Sequence, residues 1–282
     1  MTTSTGTAVD KYVQVGGLNL HYLDWGNTAA PPVVMIHGLS GNAHAFDNLA
    51  PHFASKYHVV SVDVRGRGDS DWANDGDYSN DAYVADLEGL RQALGFEKFS
   101  LVGTSMGGRI SMTYAGMYPD WVELAVLNDI GPEIDPRGGE RIASSTRDAA
   151  TSFASMDEVL AWHREQRPGF SLLSDADQQT VAGHAVKPQS SGGYTWKMDP
   201  EVRTNPRRPD PERSWVLARN IPCPVLLVRG GISDLLSPET AARMVREMQD
   251  CRMVEVPGVG HAPTLSEPEA FNAIKEMFVL GD

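Results

Sequence analysis

The sequence predicts an α/β protein, a doubly wound and mostly parallel sheet flanked by helices, with one long helical insertion. Three observations carry that prediction. Short and nearly all-apolar runs recur along the chain, of the kind that suits strands buried on both faces. Helical patterns alternate with these runs. From about Gly131 to Arg219 the alternation stops, leaving helical stretches and no convincing strand.

Taken in order, the opening Tyr12 to Trp25 alternates apolar and polar residues around Gly16-Gly17, which reads as an antiparallel hairpin. The run Pro32 to His37 is a buried strand, and further strands are expected at His58 to Val62, Phe99 to Gly103, Leu124 to Leu127, Val225 to Arg229 and Met253 to Val256. Helices are expected between them, at Ala43 to Ala54, Asp81 to Leu94, Met106 to Met117, Pro238 to Gln249 and Pro268 to Val279. Asn80 and Ser266 are the expected N-caps of two of these. The insertion holds helical stretches at Ile142 to Phe153 and Met156 to Gln166, then a Pro-, Gly- and Ser-rich stretch from Pro188 to Pro211. Residues 1–130 and 220–282 thus read as the core, and 131–219 as a helical lid over the sheet's carboxyl edge, where open α/β sheets bind ligands.

The formal charge of −13 argues against a nucleic-acid partner, because phosphate binding needs clustered Lys and Arg. The basic run Arg203 to Arg213 is diluted by proline and acids and reads as a solvated loop. Cys223 and Cys251 have no metal-type spacing and read as free thiols. Nothing in the sequence points to a metal or to a membrane partner. The Thr-rich opening Met1 to Asp10 lacks the apolar core of a secretory signal, so the expected setting is cytoplasmic. The partner is expected to be a small-molecule substrate, and the chain a monomer or homodimer.

The strongest chemical signal is Gly103-Thr104-Ser105-Met106-Gly107-Gly108. It follows an apolar strand and opens a helix, the context in which Gly-x-Ser-x-Gly presents a nucleophilic serine. The glycines make so sharp a turn sterically feasible. A serine hydroxyl needs a base. His261 lies in a glycine-containing loop, Pro257 to Pro263, just past the last strand, where such a base belongs. His37, ending a buried strand, reads as structural. The base needs an acid to fix its tautomer. Asp234, after the strand Val225 to Val228, gives the chain order Ser, Asp, His; Asp129, after the strand Leu124 to Leu127, is the alternative. Carbonyl attack creates an oxyanion that pre-placed donors stabilise by about 3 kcal/mol each. The expected donors are the backbone N–H groups of Met106 and of Leu39, the latter in the loop His37-Gly38-Leu39-Ser40-Gly41. His44, Trp162, Phe170 and Trp196 are candidate pocket residues.

The set His37-Gly38, Asp63-x-Arg65-Gly66-x-Gly68-x-Ser70, Gly103-x-Ser105-x-Gly107-Gly108, Ser233-Asp234 and Gly260-His261 resembles the α/β-hydrolase superfamily. The resemblance covers nearly the whole chain outside the insertion. It implies an eight-stranded sheet with a cap inserted after the sixth strand, and no cofactor. It assigns the Asp63 to Ser70 loop a structural role. A serine at the elbow disfavours the epoxide hydrolases and haloalkane dehalogenases of that superfamily, whose nucleophile is aspartate. The reaction implied is cleavage of a carboxylic ester or lactone of a small, partly apolar substrate through an acyl-enzyme. The alternatives are a carbon–carbon hydrolase of ring-cleavage products, whose members usually carry Trp where Ala262 stands here, a non-turnover small-molecule receptor, or a cofactor-free oxygenase.

Overall fold

A computed structural model describes residues 7–147, 149–166, 170–204 and 210–280. The first strands, β1 (Val9–Val15) and β2 (Leu18–Asp24), form the expected antiparallel hairpin. They are followed by β3 (Pro32–Ile36), β4 (His58–Val62), helix α1 (Asn80–Ala93), β5 (Phe99–Thr104), α2 (Met106–Met117) and β6 (Val122–Asn128). Next come α3 (Pro136–Arg147), β7 (Ser152–Phe153), α4 (Met156–Gln166), α5 (Asp175–Ala185), β8 (Val186–Pro188), β9 (Tyr194–Trp196), α6 (Pro200–Thr204) and α7 (Pro211–Arg219). The chain closes with β10 (Val225–Gly230), α8 (Pro238–Glu247), β11 (Cys251–Val256) and α9 (Pro268–Met277).

Eight strands make one sheet in the order β1-β2-β4-β3-β5-β6-β10-β11. From β4 to β11 every neighbouring pair is parallel. The central strands are buried on both faces, which explains their unbroken apolar composition. One face is covered by α1, α2, α7 and α8 through residues such as Leu87, Ile110, Trp215 and Met244. The other is covered by α9 and two 3₁₀ turns through Phe46, Phe53, Ile274 and Phe278. Among the described residues no helix is long and apolar enough to cross a membrane. Both cysteines are free, Cys223 buried and Cys251 half-buried; burial pushes the Cys223 thiol up to about 11.

Several local expectations are corrected. The helix expected over Ala43 to Ala54 is two 3₁₀ turns, Ala43–Phe46 and Ala50–His52, because Pro51 has no N–H to continue an α-helix. Ser79, not Asn80, caps α1, its hydroxyl accepting from Ala82 N at 3.2 Å, while the Asn80 amide donates to Thr113 Oγ1. Glu267, not Ser266, stands at the N-cap of α9. Between β6 and β10 the chain does contain strands: β7, β9 and β8 form a small antiparallel sheet, with β7 lying inside the stretch expected to be helical. These strands are two or three residues long, too short for a period of two to register. The basic run is described only outside residues 205–209; of the rest, Arg203 lies at the end of α6 and Arg213 pairs with Asp81.

Candidate active site

Ser105 sits between the end of β5 and the start of α2 with φ 53° and ψ −112°. That conformation costs a non-glycine residue on the order of 1–3 kcal/mol and must be held by its surroundings. The surroundings are specific. Ser105 N donates to Asn128 O on β6 at 2.9 Å, and Ser105 O accepts from Arg109 N at 3.0 Å. A Cβ at Gly107 would collide with the carbonyls of Ile36 and His37, and one at Gly103 with the carbonyl of Gly107. Both glycines are therefore required by close backbone approach, which is why the motif has them on each side of the serine.

His261 bridges two groups. Its Nε2 lies 2.8 Å from Ser105 Oγ, and its Nδ1 lies 2.7 Å from Asp129 Oδ2. Asp129 is fully buried and also accepts from Gly230 N at 2.9 Å and from the Ser233 hydroxyl at 2.7 Å. A carboxylate held by those donors takes the Nδ1–H of the imidazole. Nε2 is then left as the acceptor for the Ser105 proton. Asn128 fastens the same corner, its amide donating to Thr104 Oγ1 and to Pro263 O in the histidine loop.

The position of Asp129 corrects the expectation that Asp234 would partner the histidine. Asp234 is a third exposed and binds Arg141 of α3 in bidentate fashion, at 2.6 and 2.7 Å. The Arg141 guanidinium holds its carboxyl below the ordinary carboxylate value. The reason is the direction of one turn. After β10 the chain turns so that Ser233 faces Asp129 while the adjacent Asp234 faces α3. The expected dipeptide Ser233-Asp234 does serve this corner, through its serine.

Met106 N is the first amide of α2, where no preceding turn supplies a carbonyl for it. Gly38 packs on the nucleophile, since a Cβ there would stand 3.6 Å from Ser105 Cβ, and Leu39 follows it directly. Arg67 ties the two together. It is almost fully buried, and its Nε donates to Leu39 O at 3.2 Å while Nη2 lies 3.3 Å from Met106 Sδ. Nη1 meets the Tyr83 hydroxyl at 2.5 Å. Asp63, the start of the same loop, accepts from Ala43 N and Asp69 N and bonds His21, which pins the loop in place. His37 is structural. Its Nδ1 donates to Gly38 O, its Nε2 accepts from Val64 N, and burial pushes its pKa down to about 4, so it is neutral near pH 7.

The candidate pocket residues lie elsewhere than expected. Phe170 and Trp196 are buried within a small core of the 131–219 segment together with Phe153, Val159 and Ala182. Trp162 packs edge-on against Trp196 at 4.7 Å. Burial of this size contributes about 2 kcal/mol per large side chain, which an open pocket wall would forgo. His44 packs against His184 of α5 rather than standing free. Two groups of metal-ligand type occur among the described residues, His21 with Asp63 and Asp69, and His44 with Asp47 and His184. Sequence reasoning missed Asn128 and Arg67 as parts of this corner and placed Ser233 in it only as the neighbour of Asp234. For Asn128 a signal existed, a polar residue ending a buried strand just before Asp129.

Comparison with known proteins gives the family of the chain. A family model described as the alpha/beta hydrolase fold matches residues 31–268. The chain is 35% identical, end to end over both proteins, to a 3-hydroxybutyrate-oligomer hydrolase from Cupriavidus necator. It is 28% identical to a 2-(acetamidomethylene)succinate hydrolase from Mesorhizobium japonicum, covering 93% of this chain and 91% of that one. The crystal structure of an alpha/beta hydrolase from Novosphingobium aromaticivorans superimposes with a TM-score of 0.84 at 34% identity, over 97% of this chain and 99% of that one. By fold, by sequence and by end-to-end likeness to these hydrolases, the chain belongs to the α/β-hydrolase family.

Proposed function

We propose that this protein is a serine esterase acting through Ser105, His261 and Asp129, and that short linear esters of hydroxy acids are its first substrates to test. The observation that carries the reading is the continuous chain Ser105 Oγ, His261, Asp129, with contacts of 2.8 and 2.7 Å, at a strained turn facing Gly38-Leu39. The substrate class is supported by likeness to the 3-hydroxybutyrate-oligomer hydrolase over the full length of both chains.

In the proposed reaction His261 Nε2 takes the proton from Ser105 as Oγ attacks the ester carbonyl. Asp129, buried and already holding two other donors, keeps the imidazole in its Nδ1–H tautomer and stabilises the imidazolium. The N–H groups of Met106 and Leu39 receive the oxyanion, with Arg67 fixing the spacing between them. The alcohol leaves with the proton from His261. Water, activated by the same imidazole, then cleaves the acyl-enzyme.

The 131–219 segment acts as a cap in this reading. Four contacts support that placement. Asn42 donates to His184 O, Lys197 pairs with Asp69, Asp199 N donates to Gly66 O, and the Tyr78 hydroxyl donates to Asp199. All four join the segment to loops that follow β3 and β4, at the carboxyl edge of the sheet.

The test is turnover of aryl esters and of 3-hydroxybutyrate dimers and trimers, with mass spectrometry of the acid-quenched protein. Multiple turnovers and an acyl adduct on Ser105 are expected. Folded protein that leaves every one of these esters intact and carries no adduct contradicts the proposal.

A further inference from the structure

A cluster with no part in the proposed ester chemistry joins the core to the 131–219 segment. His44 lies in the 3₁₀ turn Ala43–Phe46 after β3, Asp47 ends that turn, and His184 is in the last turn of α5. The two imidazole rings pack with centroids 3.4 Å apart and planes tilted by 45°. His44 Nδ1 lies 2.9 Å from Asp47 Oδ2. The second carboxylate oxygen of Asp47, Oδ1, is buried without a hydrogen-bond partner. Taking one ligand atom from each residue, all three lie within 4.8 Å of one another.

Asn42 builds this arrangement from both sides. Its side-chain oxygen accepts from His44 N at 3.1 Å, and its side-chain amide donates to His184 O at 3.1 Å. One residue thereby fixes the backbone of both histidines. A cation bound at Asp47 Oδ1 would supply the partner that oxygen lacks.

We propose that His44, Asp47 and His184 form a binding site for a divalent transition-metal ion, zinc or nickel in class, that ties the 131–219 segment to the core. Two imidazoles and one carboxylate suit such ions and not magnesium or calcium, which take mostly oxygen ligands. Bonds of about 2.0–2.2 Å call for a small rotation of the two rings toward the carboxylate, with water as the fourth ligand. The sequence offers no spacing signal for the site, because His184 is brought to the other two only by folding.

The experiment is calorimetric titration of the tag-free full chain with ZnCl2 and with MgCl2 at pH 7.5, accompanied by thermal unfolding. The wild type is expected to bind one zinc ion. At a hundredfold excess over Kd its Tm rises by about 5 °C or more, and magnesium does neither. His184→Ala and the near-isosteric Asp47→Asn should each weaken zinc binding by at least about tenfold. X-ray absorption at the zinc edge of the wild-type complex should count two imidazoles, a readout that needs no variant to fold. Absence of zinc binding, unchanged affinity in both variants, or a count of fewer than two imidazoles overturns the proposal.

Discussion

Two carboxylates stand at the carboxyl ends of neighbouring strands, and they have opposite surroundings. Asp129, after β6, is fully buried and accepts from Gly230 N, Ser233 and His261. Asp234, after β10, is a third exposed and spends both oxygens on Arg141. The strand ends are hydrogen-bonded neighbours, so either edge could reach the histidine loop. What separates the two is the donor set that each turn supplies. A buried carboxylate with converging donors is fixed in orientation, which a tautomer-setting partner requires. A surface carboxylate in an ion pair is screened and contributes little.

The comparison can be broken by substitution. The largest effect belongs to the nucleophile shared by both accounts: Ser105→Ala should lower kcat on any ester that is turned over by about 10⁶-fold. Asp129→Asn should follow, with a loss of about 10⁴-fold, because the amide donates where the carboxylate accepted and favours the wrong tautomer. Ser233→Ala removes one hydrogen bond to that carboxylate, worth about 1.5–3 kcal/mol, and should cost about 10–100-fold in kcat. Asp234→Asn should change kcat by less than about threefold and stability by at most about 1 kcal/mol. A loss for Asp234→Asn that rivals Asp129→Asn would reverse the assignment.

How much of this was legible in the sequence depended on how local each signal was. The elbow was readable because its glycines are demanded by backbone contacts that any Gly103-x-Ser105-x-Gly107 turn makes. The central strands were readable because burial on both faces leaves an unbroken apolar run. The choice between Asp129 and Asp234 was not readable. It rests on whether one residue in a turn faces inward or outward, and Ser233 took the inward position. The inserted segment was legible as an interruption but not in its small sheet, whose strands are stabilised by their own core of Phe153, Phe170 and Trp196. Phe170 and Trp196 read as pocket candidates in the sequence because composition does not distinguish packing from binding.

A smaller effect checks the frame behind the site. Burial pushes His37 down to about 4 from an ordinary 6.5. The unfolded chain therefore takes up a proton at this position below pH 6.5 while the folded one does not. Its contribution to stability is complete above pH 6.5 and is lost as pH falls from there through about 4. His37→Gln should flatten that part of the stability profile in denaturant titrations at pH 7, 6, 5 and 4. A variant with the wild-type slope would show that His37 is not held neutral.

The most direct measurement of the central claim needs no knowledge of the substrate. It is the second-order rate at which an organophosphonate labels Ser105 in the wild type, Asp129→Asn and Asp234→Asn, followed by mass spectrometry. The structure predicts labelling of Asp129→Asn slower by at least about 100-fold and labelling of Asp234→Asn at the wild-type rate. Wild-type labelling of Asp129→Asn, with Asp234→Asn slowed instead, would contradict it.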